Sequence, residues 1–297
     1  MNTFFFGQTF HTRWLVALRV GTGLILLLAH LAQLADLGQL YGPGSIAPKE
    51  LLVVAAEAPI AFGERGLAFP IGYAVVCLLL TAGIFTRVSA LLLLLQHVGL
   101  YTAVQQLSYG FDYFCVSALF YCLIFPVDRH GSVDRQLFAL RPSRWVTPSL
   151  RVLQLHLCIV YFFAGLLKAC GPTWHDGEAL WKAYQLPAFA GWGHIDITWL
   201  GHYPFLWAVL GWLVILLETA YPVAVWMGRI RPYWLLGIIT LHAGIAIFMG
   251  LYEFSAMMIL LNICAFQLPY QSINRTALPA LSKPGAGFAC VLNKSRN

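Results

Sequence analysis

The sequence predicts an all-α fold: a polytopic membrane helix bundle of about eight transmembrane helices, with the N- and C-termini cytoplasmic. Three observations carry this reading. The first is composition: of 297 residues, 60% are hydrophobic and only 10% are charged, against about 25% charged in an ordinary soluble domain. A soluble chain this apolar has too little polar surface to cover itself. The second is that the apolar runs are continuous rather than alternating, the pattern of spanning helices and not of barrel strands. The third is the placement of the basic residues.

Eight runs approach the length of about 20 residues that a helical span needs: 14–35, 67–86, 88–107, 112–127, 150–170, 200–227, 233–249 and 254–268. The first carries Arg19 within it and is too long for a secretory leader. With the N-terminus inside and the runs alternating, thirteen basic residues fall on the inner side. They are Arg13, Arg87, Arg129, Arg135, Arg141, Arg144, Arg151, Arg229, Arg231, Arg275, Lys283, Lys294 and Arg296. Only Lys49, Arg65 and Lys182 fall outside, which is the asymmetry of the positive-inside rule. The net charge of +6 therefore belongs to inner loops, and no nucleic-acid partner is expected.

Residues 1–269 read as a single transmembrane domain with long outer loops at 36–66 and 171–199, and 270–297 as a poorly ordered cytoplasmic tail. The second outer loop is rich in aromatic residues, which favour the membrane–water boundary. Within it Glu178–Gln185, with Asp176 as N-cap, reads as a short amphipathic helix. Its two readings are an interfacial anchor and a lid over a cavity. No cysteines have metal-site spacing, and no metal is expected. Cys115 and Cys170 both fall toward the outer side, and their pairing stays open.

Charges inside the hydrocarbon cost roughly 2.5–3.5 kcal/mol each at the centre and need partners. Arg19, His156 and Glu218 fall at similar depth, on the order of 9–14 Å from the inner side at 1.5 Å per residue. They are read as a structural Arg19–Glu218 ion pair with His156 close by; the functional alternative is a proton path. A second group, His30, His97, Lys168 and His242, lies toward the outer half on four different spans, with Asp112 and Glu253 at outer span ends. These residues are expected to share one pocket open to the outside, although a lone span histidine more often bonds a neighbouring helix. A lysine held in an apolar pocket loses stabilisation of its charge and becomes a usable general base.

The segment Tyr161-Phe-Phe-Ala-Gly-Leu-Leu-Lys168, followed by Trp174-His-Asp-Gly177, resembles the membrane domain of vitamin K-dependent gamma-carboxylase and its bacterial relatives, the HTTM family. Arg19, the loop Leu40-Tyr-Gly-Pro-Gly-Ser-Ile-Ala-Pro48, Ser132-Val-Asp134, and His242 with Phe254, Ser255 and Met258 downstream fit the same pattern. The resemblance covers nearly the whole chain. It implies that Lys168 is the base that deprotonates a vitamin K-like quinol, that His242 is a second catalytic or pocket residue, and that Trp174, Asp176 and Gly177 belong to the adjoining loop.

Three departures shape that expectation. Lys168 and Trp174 stand one residue further apart than in the carboxylase. The start of the fourth span, Leu107-Ser-Tyr-Gly-Phe-Asp112, carries no histidine where the family has a functional one. No large extramembrane domain follows the eighth run. The expected function is therefore a bacterial inner-membrane protein using a lysine base on a quinol or a secreted peptide at the outer face. The alternative is a non-catalytic helper that docks a partner membrane protein or secreted peptide through the 171–199 loop. Besides the bilayer, a quinone or lipid ligand is expected. A haem electron carrier ranks last, since no span holds two histidines.

Overall fold

A computed structural model describes residues 4, 10–34, 68–103, 108–186 and 195–268. The predicted outer loop 36–66 and tail 270–297 lie outside the described residues, as do residues 187–194. The described chain is helical, and no strand occurs among the described residues. In order the helices are α1 (Arg13–Gln33), α2 (Ala68–Ala82), α3 (Thr86–Ala103), α4 (Gly110–Ile124), α5 (Val133–Leu137), α6 (Val146–Cys170), α7 (Pro172–His175), α8 (Glu178–Gln185), α9 (Pro204–Thr219), α10 (Tyr221–Ala224), α11 (Arg231–Met249) and α12 (Tyr252–Asn262). A wider π turn, Ile263–Gln267, extends α12.

Each of the eight apolar runs is helical over most of its described length, the run 200–227 carrying both α9 and α10, because long Leu-, Val- and Ile-rich stretches can satisfy their backbone groups internally. Helices α1, α6 and α11 are long and apolar enough to cross a membrane. Pro70–Ala82, Gly110–Ile124, Pro204–Thr219 and Tyr252–Gln267 are shorter apolar helices. Large apolar side chains point outward from many of these helices, among them Leu28, Leu95, Leu167, Phe205 and Tyr233. A water-soluble monomer rarely exposes contiguous apolar surface on this scale.

The bundle has a seam. Helices α1 to α4 pack on one another, and α6 packs on α9. Helix α12 joins the two groups, touching α1, α4 and α11, while its π turn meets α6 through Gln154, whose Nε2 donates to Ala265 O at 2.7 Å. Trp14, Leu15, Leu18, Leu119, Leu150 and Phe266 fill the core. Cys115 and Cys170 are free thiols, the first buried and the second exposed, so they do not pair.

The expected Arg19–Glu218 pair does not form. Arg19 is 1% exposed, and its guanidinium donates to Leu80 O at 3.0 Å, Thr81 O at 2.6 Å and Gly131 O at 2.6 Å. Two of these carbonyls belong to the last turn of α2, the negative end of a helix, where carbonyls lack intrahelical partners. The neighbouring Asp134 accepts from Phe85 N, Thr86 N and Thr86 Oγ1 at 2.7 Å each, capping the start of α3. His156 is not beside a charge pair either; its Nδ1 bonds the Tyr121 hydroxyl on α4. Depth alone suggested that these three residues meet. Backbone carbonyls, which every residue owns, took the place of the carboxylate.

Candidate functional site

Lys168 is where the sequence drew attention, and the local geometry is built one turn earlier. Gly165 packs so closely on α9 that a Cβ there would lie 2.6 Å from Thr219 N and 2.9 Å from Glu218 Cβ. The absent side chain lets α6 and α9 touch backbone to backbone. Side chains on a helix lean toward its N-terminus, so Lys168 on α6 and Glu218 on the antiparallel α9 lean toward each other. Lys168 Nζ donates to Glu218 Oε2 at 2.6 Å. The Lys168 side chain is 23% exposed and that of Glu218 is 9% exposed. The Trp174 ring covers the ammonium from the other side, 5.2 Å from Nζ to the ring centroid, a cation–π arrangement. The partner of Glu218 is thus Lys168, and the lysine side chain turns toward α9.

Residues 171–186 of the predicted outer loop pack against α9. The antiparallel register of α6 on α9 continues past the end of α6. A Cβ at Gly211 would lie 2.2 Å from Trp174 O, and one at Gly177 would lie 2.2 Å from the carbonyl carbon of Trp207. Helices α7 and α8 therefore carry on along α9. The Lys168–Glu218 pair lies about 21 Å along α9 from Pro204, at 1.5 Å per residue. The break is stapled: His175 Nε2 bonds Ala169 O at 2.8 Å, and its ring stacks on Trp212. Gly177, at φ 83°, is the N-cap of α8. Asp176, expected in that place, sits one residue earlier and accepts from Glu178 N at 2.9 Å. Helix α8 occupies the predicted Glu178–Gln185 and docks on α9, with Trp181 and Trp207 rings 5.2 Å apart. On its open face Lys182 pairs with Glu178, and that hydrogen bond raises the Lys182 ammonium above the ordinary lysine range.

Below the ion pair runs a buried polar chain that the sequence reading missed. Tyr221 OH donates to Asn262 Oδ1 at 2.6 Å. Asn262 Nδ2 donates to Met258 O and to Tyr161 OH, both at 2.8 Å. Tyr161 OH lies 2.8 Å from His242 Nε2. The pair and the chain are linked through α6, which carries both Tyr161 and Lys168. His242 is 3% exposed, yet its Nδ1 has no hydrogen-bond partner; nor has the neighbouring Ser255 Oγ. The Phe254 ring packs on His242 at 5.6 Å. Two signals in the sequence pointed here. Tyr161 stands two turns before Lys168 on the same helix face, and Asn262 is an amide in the middle of the apolar run 254–268, the kind of residue that bonds across helices.

His30 and His97 do not share this site. They belong to a separate cluster on α1 to α4, where His30 Nε2 bonds Pro70 O at 3.0 Å and its ring stacks on Tyr73 at 4.6 Å. Tyr73 OH lies 3.3 Å from His97 Nδ1, and His97 Nε2 lies 3.4 Å from Asp112 Oδ1. Asp112 also accepts from Tyr109 N at 2.9 Å, capping α4. Phe254, packed on Phe114 as well as His242, stands between the two groups. Equal depth on four helices was read as convergence, but residues at one level in a bundle can face different neighbours. No group of His, Cys, Asp and Glu that would hold a metal occurs among the described residues.

Compared with protein-family models, with curated proteins and with solved structures, the chain matches none.

Proposed function

We propose that this chain is a multi-pass protein of a bacterial inner membrane, with eight spans and both ends cytoplasmic, whose Lys168–Glu218 pair is the base for a quinol substrate taken up from the outer side. What supports the layout is that every one of the eight apolar runs is helical where described, together with the thirteen-to-three bias of basic residues. A single-cysteine variant at position 185, in a cysteine-free background, is expected to react with a membrane-impermeant maleimide added outside. A variant at position 140 is expected to be protected. The reverse pattern overturns the orientation.

The observation that carries the chemistry is the 2.6 Å contact between Lys168 and a Glu218 that is 7% exposed. An ammonium and a carboxylate held this far from water can exchange one proton along their hydrogen bond without changing net charge. That transfer leaves Glu218 a neutral acid and Lys168 a free amine. The amine Nζ then receives a proton from an acidic ring hydroxyl, which is what a quinol supplies when bound. Two observations suit such a ligand: the Trp174 ring offers an aromatic face 5.2 Å from Lys168 Nζ, and the buried His242 Nδ1 is an unused polar group. The family resemblance points to the same lysine.

The test is quinol turnover by the purified protein in lipid nanodiscs, with reduced menadione and oxygen, followed as loss of the reduced quinone over the uncatalysed rate. Lys168→Arg keeps the pair with Glu218 but stays protonated at any working pH. It is expected to lose turnover by roughly 10²–10⁴-fold, the usual contribution of a general base, while keeping the wild-type melting temperature. An inactive wild type, or a Lys168→Arg variant at full rate, sinks the reading.

A further inference from the structure

We infer that His242 is held as the tautomer with its proton on Nδ1, and that it donates this N–H to an oxygen of the bound quinone or quinol. Tyr161, Asn262 and Tyr221 act as the positioning residues that set it. The inference rests on the quinol reading for the identity of the ligand, but the tautomer stands on geometry alone.

The assignment follows from counting protons along the chain. Met258 O only accepts, so the atom of Asn262 facing it is the amide nitrogen. The same nitrogen spends its second proton on Tyr161 OH, and Oδ1 is left to accept from Tyr221 OH. Tyr161 oxygen is therefore an acceptor from Asn262, and its own proton is free to go to His242 Nε2 at 2.8 Å. That makes Nε2 the bare nitrogen and places the ring proton on Nδ1. In the opposite tautomer Nε2–H would donate to Tyr161. The tyrosine proton would then have no acceptor in the chain, and Nδ1 would be a buried acceptor with none either. The first arrangement leaves one orphan, the second leaves two. A ring protonated at both nitrogens would bury a positive charge at a site 3% exposed, and among the described residues no carboxylate is paired with it.

The remaining orphan is a donor at a site 3% exposed. Leaving a buried donor unmade is unfavourable, and a group built so firmly from its far side is suited to a ligand acceptor on its near side. The matching chemistry is a carbonyl or ring oxygen. Its neighbour agrees: the Phe254 ring lies against the imidazole, with centroids 5.6 Å apart. Lys168 and His242 would then divide the work, one moving a proton and the other holding an oxygen.

The experiment is nitrogen NMR on full-length protein, histidine-labelled with ¹⁵N, in nanodiscs. The His242 signal is identified by its loss in His242→Gln. A protonated Nδ1 and a bare Nε2 are expected without ligand, and saturating menadione is expected to shift the Nδ1 resonance. Tyr161→Phe removes the donor to Nε2. It should give a mixture of tautomers and bind menadione about tenfold more weakly, the size of one lost hydrogen bond, while its melting transition remains cooperative. A wild-type ring protonated at Nε2 overturns the inference. So does an Nδ1 signal unmoved by menadione, even where Lys168-dependent turnover persists; that result would leave the quinol reading standing. An Nδ1 shift without turnover would support this inference and reject the catalytic one.

Discussion

Glu218→Ala is expected to destabilise the protein by about 3–5 kcal/mol, because it leaves the Lys168 ammonium partly buried without its counter-charge. Lys168→Ala is expected to have an effect of similar size, since Glu218 is the more buried partner. The double variant Lys168→Met, Glu218→Leu removes both charges and should recover most of the loss, as replacement of buried ion pairs by apolar residues often does. Denaturant melts in a mild detergent, read as a double-mutant cycle, check all three. The stability of the double variant and its activity should separate: the fold returns and quinol turnover does not. Three variants all as stable as wild type would mean that Lys168 and Glu218 do not pair in the bilayer.

Gly165→Ala is expected to produce the second large effect without adding or removing any charge. The new methyl would stand 2.6 Å from Thr219 N and 2.9 Å from Glu218 Cβ, and backbone atoms do not swing aside as side-chain tips do. Helix α9 has to move off α6, an overpacking cost of about 1–3 kcal/mol. The same displacement stretches the Lys168–Glu218 contact, so turnover should fall together with stability. In a Glu218→Ala background the pair is already gone, and Gly165→Ala should then cost only the overpacking. Equal costs in both backgrounds would show that Gly165 packs the helices but does not set the pair.

The sequence carried the position of the helices and little of who touches whom. Leu- and Val-rich runs mark α1 to α4, α6, α9, α11 and α12 because an apolar segment must close its own backbone hydrogen bonds. The charge pattern of Glu178–Gln185 marks α8 to the residue. Partnership is different. Arg19 was matched to Glu218 on depth, but its partners Leu80 O, Thr81 O and Gly131 O are main-chain atoms with no signature in residue type. Lys168 was placed near an outer end because the apolar run 150–170 stops soon after it. Nothing in that run tells that α7 and α8 continue the packing along α9 beyond it. His30 and His97 were grouped with Lys168 because nothing in a linear sequence tells which way a helix is rotated about its axis.

The Arg19 contacts also impose an order on the making of the protein. Two partners lie 61 and 62 residues downstream and the third lies 112 residues downstream. At about 5–20 residues per second of synthesis, Gly131 follows Arg19 after roughly 6–20 s. Throughout that interval the first helix carries a charge that its own sequence cannot satisfy. Its guanidinium gains its first two partners only with the end of α2, and its third only with the turn before α5. The full set of contacts that buries Arg19 is therefore available only once nearly half of the chain exists.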